Sequence, residues 1–271
     1  MQLFEHLEYI LQIKKPETKC KEFTLFYEKY LHGEFSFNHE HTSLKFKEPS
    51  YIEHCEAFSN TVNSKRKKLG SDKGKAMFLH AIAHIEYSAI DLAIDAAYRF
   101  KNMPKAFYDD WLEVAMDEVR HFELLEILLE RVGSFYGEYP VHYGLFNASM
   151  QTLGLLERMA VIPRYFEAGG LDATPIMIEK LQGLVNDDKA EEIVKVLALI
   201  LEEEGPHVLK GDKWFKYACD ELSLEYEVYF EIIEKFYPGA FPRNKELNIQ
   251  ARKDAGFSCS ELQRINTDVE C

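Results

Sequence analysis

DEVRHFELLEILLERV (117–132) and LALILEEEGPHVLKGDKWF (197–215) decide how this chain reads. Each is a long helical pattern with apolar flanks. Each also carries a Glu-x-x-His, Glu118 with His121 and Glu204 with His207. Residues three apart on a helix share a face, so each pair can reach one region together. The apolar flanks lead us to expect that both pairs face an interior. A carboxylate can bridge two cations, a neutral imidazole binds one from the end, and Asp/Glu/His sets suit iron and manganese. Two such helices, each matched with a helix supplying one more Glu, form a two-metal carboxylate cage in a four-helix bundle.

The motif alone is weak, since this composition yields roughly one Glu-x-x-His by chance. Context strengthens it. Each pair has an upstream helical stretch with a Glu among apolar residues. Glu86 lies 32 residues before Glu118, and Glu167 lies 37 before Glu204. Those intervals match antiparallel helix pairs with ligands at similar height. Glu157 in LLERMAV competes with Glu167 for the third-helix place. Glu157 is expected mid-helix and Glu167 near the helix end. Spacing symmetry favours Glu167; the ordinary role for Glu157 is a surface ion pair.

Working outward, residues 1–72 form a less regular front. Short helices are expected near 2–13 and 19–31, and EFSFNHEHTSLKFKEP alternates as a hairpin or an extended arm. Ser71 or Asp72 is placed to cap the next helix. Residues 73–101 and 105–132 read as two long helices separated by Met103-Pro104, the second ended by Gly133. A third helix is expected over 145–168, kinked at Pro163 and stopped by Gly169-Gly170. A short helix follows near 175–185. A fourth long helix spans 188–219 with a disturbance at Gly205-Pro206, and another spans 223–236. The domain reading is an N-terminal extension (1–72), a helical bundle (73–236) and a tail packed on it (237–271).

The chain has 271 residues, enough for one large domain with appendages, and its net charge of -14 argues against a broad nucleic-acid footprint. The basic run Lys65, Arg66, Lys67 and Lys68 reads as a solvated turn. Cys20, Cys55, Cys219, Cys259 and Cys271 are widely spaced without C-x-x-C, so reduced thiols are expected rather than a disulfide framework or zinc knuckle. Glu5, His6 and Glu8 interrupt any signal-peptide core. The most apolar stretch, 77–100, carries His80, His84, Glu86, Asp91 and Asp95, against a membrane span of about 20 mostly apolar residues. A soluble cytoplasmic protein is expected.

Other candidates have ordinary readings beside the functional ones. His80 and His84 are candidate donors to ligand carboxylates, or satisfied core histidines. Asp117 and Arg120 either orient ligands or form a surface pair. Asp91, Asp95, Glu123 and Glu126 read mainly as solvated acids. His39-Glu40-His41 resembles a small metal tripeptide but sits in a polar arm. Tyr87, Tyr165 and Phe166 could flank a dioxygen site; packing is the usual role of aromatics there. G-x-G-x-x-G, P-loop and G-x-S-x-G motifs are absent, so nucleotide cofactors and serine hydrolase chemistry have no support.

LHAIAHIEYSAIDLAIDAAYRF, DEVRHFELL, FEAGGLDATP and EEEGPHVLKGDKWFKYAC, spanning about 70–220, and the tail ARKDAGFSCSEL resemble the ferritin-like di-metal carboxylate superfamily. More closely, the chain is similar to an uncharacterised bacterial ferritin-like family related to the tRNA hydroxylase that acts on a modified adenosine. The resemblance implies an all-α, ferritin-like four-helix bundle with extra helices and an N-terminal extension. It implies two metal ions, iron or manganese, held by Glu86, Glu118, His121, Glu167, Glu204 and His207. Two departures stand out: Pro206 within the fourth-helix motif, expected to tilt that helix, and Gly169 where the family prefers Arg. The expected function is a di-iron oxidoreductase that oxidises or hydroxylates an unidentified small molecule or modified nucleoside with dioxygen, using an external electron donor. The alternatives are an iron-binding, storage or detoxification protein, and a structural bundle with a redox-silent metal site. Neither membrane nor nucleic acid is expected as a partner, and a dimer is the simplest oligomer.

Overall fold

The computed structural model describes residues 1–58, 68–242 and 246–270, so Lys65, Arg66 and Lys67 of the basic run, and Cys271, lie outside the described residues. The chain is all-α, as expected, and the helices are consistent with a ferritin-like bundle. It divides into two compact units, Met1–Asn147 and Ala148–Cys271.

The first unit contains α1 (Leu3–Gln12), α2 (Pro16–Leu31), a 3₁₀ turn (Ser50–Glu53), β1 (Ala57–Phe58), α3 (Asp72–Arg99), α4 (Lys105–Arg131) and β2 (Val141–His142). Local signals set these bounds. Pro16 opens α2, where its missing N–H costs nothing. Ser71 caps α3, its hydroxyl accepting from the Gly74 N–H at 3.2 Å. Gly133 ends α4 with a left-handed φ of +76°, and the Ser134 N–H closes back onto the Leu129 carbonyl at 2.9 Å. The long helices α3 and α4 pack on each other, with α1 against α3 and α2 against α4. Leu3, Phe4, Leu7, Phe23, Leu79, Ile90, Leu112 and Phe122 are among the side chains they bury completely. A buried Lys19 pairs with Asp91, whose second oxygen accepts from Ser50 at 2.5 Å; Tyr30 donates to Asp109 at 2.7 Å. Asp91 is thus held by partners rather than solvated, as is Asp95, which takes a bidentate Arg99.

Between the hairpin and the arm expected for EFSFNHEHTSLKFKEP, the structure has the arm. Only Ser36 bridges, in parallel with Gln2, and the rest is fastened through side chains. Leu44 N–H donates to the Tyr98 hydroxyl at 2.7 Å. His39 accepts from the Asn102 N–H at 3.1 Å and His41 meets Glu8 at 2.9 Å, so the His-Glu-His tripeptide is engaged structurally. Helix α3 is long and apolar enough to cross a membrane, but 67% of its apolar window is buried within the protein.

A helix α5 (Gly144–Gln151) crosses the division between the units. The second unit then contains α6 (Leu155–Val161), a π-helical turn (Ile162–Glu167), α7 (Ala168–Gln182), α8 (Asp188–Leu222), α9 (Val228–Phe236), α10 (Ile249–Asp254) and α11 (Cys259–Ile265). This corrects three expectations. The single helix over 145–168 is α5, α6 and the π turn. Extended backbone at Gly154 separates α5 from α6. The buried Arg158 stabilises that break by donating to the Ser149 carbonyl at 2.7 Å and the Thr152 carbonyl at 3.1 Å, carbonyls a continuing helix would have engaged. Second, Gly169-Gly170 does not stop the helix: α7 runs through both and through Pro175, absorbing the short helix expected near 175–185. Buried Leu171 and a bidentate Arg252–Asp172 pair (2.9 and 2.7 Å) hold α7 in place, so tertiary contacts override glycine's weak propensity. Third, α8 continues through Gly205-Pro206. Proline costs it one N–H, which would have served the Glu202 carbonyl four residues back, and the helix survives that loss.

Cys20, Cys55 and Cys219 are buried free thiols. Cys259 is disulfide-bonded, contrary to the expectation of reduced thiols throughout.

Candidate metal centre

In the first unit, α3 supplies Glu86 and α4 supplies Glu118 and His121. All three are buried, Glu118 and His121 to 1% exposure or less. The ligand atoms of this trio lie within 4.8 Å of one another. His121 Nδ1 is 3.3 Å from Glu86 Oε2 and 3.5 Å from Glu118 Oε2. The cause is helical periodicity. Glu118 and His121 are neighbours on one face of α4, and Glu86 stands where α3 packs on that face.

Two carboxylates gathered out of water repel each other. Burial first, and the neighbouring Glu118 second, push Glu86 up to about 8. Burial works against charge on His121, but its hydrogen bonds to Glu118 and Glu86 outweigh burial and raise it to about 11. Without a cation the trio therefore gathers protons, and an imidazolium stands where positive charge is needed. Two carboxylates and an imidazole converging in a dry interior are a donor set suited to a divalent transition metal. The residues fit the group that the sequence implies.

In the second unit, Glu204 and His207 share a face of α8, with His207 Nδ1 3.8 Å from Glu204 Oε1. His207 is fully buried and Glu204 partly exposed. Glu167 ends the π turn, half-buried, with its Oε2 out of solvent. Glu157 is not mid-helix as expected. It lies in the first turn of α6 with its carboxylate folded over Gly154, where a Cβ would sit 2.3 Å from Glu157 Oε2.

The remaining candidates take the ordinary readings. His80 accepts at Nε2 from the Gly137 N–H (2.9 Å). His84 bridges the Tyr136 hydroxyl and the His142 carbonyl, both at 3.0 Å. Both imidazoles are held neutral, lowered to about 4 chiefly by burial, and neither hydrogen-bonds a ligand carboxylate. Asp117 and Arg120 form a half-exposed pair at 3.0 Å. Tyr87 packs against Phe122 and Tyr136, and Tyr165 stacks on Tyr237. Glu123 is exposed, as expected of a solvated acid, while Glu126 is half-buried, and burial raises it to about 7.

Sequence reasoning missed the charged set around the π turn: Arg164, Asp212, Arg252 and Glu261. These residues are isolated in the chain and follow no period. Asp212 lies in EEEGPHVLKGDKWFKYAC, and Arg252 and Glu261 in ARKDAGFSCSEL, segments whose resemblance gives them no role, while Arg164 lies outside both.

Comparison with known proteins adds kinship without an activity. The chain is 37% identical over 209 residues to an uncharacterised protein of Haemophilus influenzae, covering 74% of this chain and 70% of that one. No solved structure matches it. A family model described as "Protein of unknown function (DUF455)" matches residues 12–263, nearly the whole helical chain and both Glu-x-x-His segments, and the chain belongs to that family.

Proposed function

We propose that this protein is a ferritin-like di-metal carboxylate oxidoreductase. In this reading two iron ions are held by Glu86, Glu118, His121, Glu167, Glu204 and His207. The observation that carries it is the buried convergence of Glu86, Glu118 and His121. Such a trio is costly to assemble in the interior unless a cation offsets the repulsion. Glu204 and His207 repeat the same spacing on α8 and supply a second half of the donor set. Glu167 is preferred to Glu157 because the Glu157 carboxylate is folded over the start of its own helix.

Bound iron would supply dioxygen chemistry, with electrons from a separate donor and a small molecule or modified nucleoside as substrate. The chain's own residues do the rest. Four carboxylates balance two divalent ions. His121 would have to give up a proton to bind a cation, because metal binding and protonation compete for the same nitrogen lone pair. The burial of Glu118 and His121 keeps bulk water from the ligands.

The test is metal analysis of protein purified without chelators, followed by ferrous titration in air with size-exclusion chromatography. About two irons per chain and consumption of dioxygen support the reading. Uptake of hundreds of irons in a large spherical assembly would point to storage. A chain that takes up neither iron nor manganese ends the metal reading.

A further inference from the structure

We propose that the C-terminal segment is a positioning device for the metal centre: Arg164, clamped between Asp212 of α8 and Glu261 of α11, locks the π turn and so sets where Glu167 points. The proposal rests on the reading of Glu167 as a ligand.

A π turn is rarely stable on its own. If residues 162–167 relaxed to α-helical register, one residue fewer would occupy the turn. Glu167 would then swing by about 100° and shift by about 1.5 Å along the axis. Something outside the helix must hold the wider turn, and Arg164 is built to do so. Its side chain is completely buried. Nε lies 3.0 Å from Asp212 Oδ1, and Nη2 donates to Glu261 Oε1 at 2.6 Å. The guanidinium carbon sits 4.6, 4.5 and 4.7 Å from the ring centres of Phe215, Tyr229 and Phe257. The Arg164 carbonyl accepts from the Tyr229 hydroxyl at 3.1 Å, so the same residue is held by backbone and side chain.

The tail is shaped to deliver its half of the clamp. Ser258 and Glu261 form a reciprocal capping box that starts α11, which leaves Glu261 Oε1 to face Arg164. Gly256 has φ +96°, and a Cβ there would lie 2.3 Å from Asp212 Oδ2, so only glycine lets the tail pass this close. Lys216 ties the two together, bonding Asp212 at 2.6 Å and the Gly256 carbonyl at 3.2 Å. Buried ion networks are a poor way to gain stability compared with apolar packing, and are better suited to selecting one geometry. The network here surrounds the irregular turn that carries the least regular member of the proposed donor set.

The experiment compares the full chain with Arg164→Met, Arg164→Lys and the milder Glu261→Gln. Hydrogen exchange over 162–170 and manganese(II) bound per chain at saturation are measured. An Ile193→Ala variant, losing buried bulk early in α8, reports what destabilisation alone does. Arg164→Met is expected to speed exchange over 162–170 at least tenfold and to lower manganese from about two ions to about one. Arg164→Lys should recover part of both, and Glu261→Gln should move both in the same direction if Arg164→Met does not fold. Wild-type exchange and metal content in Arg164→Met, or in Glu261→Gln where that variant has to stand in, overturn the proposal, as do equal losses in Ile193→Ala. If the wild-type chain binds no metal, the metal reading fails separately. The clamp is then judged by exchange alone: faster exchange in Arg164→Met supports it and unchanged exchange overturns it.

Discussion

The two Glu-x-x-His helices present the proposed donors by different means. In α4 the pair sits on an unbroken helix without Gly or Pro between Lys105 and Arg131, and Glu86 comes to it from an equally regular α3. In α8 the pair is split by Gly205-Pro206, and the matching Glu167 arrives through a π turn. Regular periodicity makes the first half. The second half depends on residues far apart in the chain: Gly211 under Pro163, Tyr229 on the Arg164 carbonyl, and Glu261 from the last helix. The first half should therefore tolerate local change so long as the helical face survives, and the second should be fragile at its crossing points.

The sharpest way to break this comparison is Gly211→Ala. A Cβ at Gly211 would lie 2.1 Å from the Pro163 Cβ, and a proline ring next to a helix backbone has little room to yield. Overpacking of this kind costs about 3 kcal/mol. The expected result is a clear fall in the urea midpoint, with faster exchange concentrated over 162–170. A midpoint unchanged from wild type would show that the crossing is loose and the second half no more fragile than the first.

The first unit has its own weak point, and it is chemical. Every histidine except His207 lies before residue 148. His80 must stay neutral at Nε2 to accept from the Gly137 N–H, and burial lowers it to about 4 against an ordinary value near 6.5. The folded state thus binds fewer protons than the unfolded state between those values. Stability from this group is complete above about pH 6.5, falls as pH drops toward 4, and changes no further below that. The loss is about 3 kcal/mol at most. Denaturant unfolding at several pH values should show this slope, and His80→Gln should flatten it. A slope unaltered by His80→Gln would place the acid sensitivity elsewhere.

These contrasts explain what could be read from the sequence. The 3.6-residue period exposes α3, α4 and α8, and Ser71 and Gly133 mark the start of α3 and the end of α4 because caps act through neighbouring atoms. The trio of Glu86, Glu118 and His121 follows from the same period. The third helix was misread because its path is set by tertiary contacts. Arg158 engages carbonyls at a break, Arg252 holds α7 across two glycines, and Arg164 supports a turn that no local pattern encodes. A propensity argument sees Gly169-Gly170 as a stop because it cannot see Asp172 paired 80 residues away with Arg252. Glu157 read as a mid-helix competitor to Glu167 for the same reason: the break at Gly154 that makes it a first-turn residue has its cause in Arg158.

The two halves can also be compared as metal donors. His121→Ala and His207→Ala are each expected to weaken metal binding at least tenfold, about 1.4 kcal/mol, with far-UV circular dichroism unchanged. The helices have enough apolar packing to fold without full occupancy, unlike a zinc finger. His121 is locked between two carboxylates and His207 contacts its own Glu204 at a looser 3.8 Å, so the His121 variant should lose more. Metal content by mass spectrometry alongside the dichroism decides it. Unchanged metal in both variants removes these histidines from the donor set, and equal losses would show that the geometric contrast between the halves has no consequence for binding.

The smallest effect has the opposite sign and sits next to a proposed ligand. Gly205 lies inside α8 beside Glu204, and a Cβ built on it meets no atom within 4 Å. Its backbone is helical and not left-handed, so alanine needs no strain to fit. Glycine within a helix costs up to about 1 kcal/mol relative to alanine, mostly through the greater freedom of the unfolded chain. Gly205→Ala should therefore raise stability by up to about 1 kcal/mol. Set beside Gly211→Ala, six residues along the same helix, it separates position from residue type: one glycine permits a crossing, and the other faces open space that a methyl group can fill. Metal stoichiometry should match wild type, because the substitution leaves Glu204 and His207 on the same face. Thermal unfolding and metal content measured together give the answer. A destabilised Gly205→Ala would mean that α8 bends at Gly205-Pro206 in solution. A stabilised protein that binds less metal would mean that flexibility at this point helps Glu204 reach the ion.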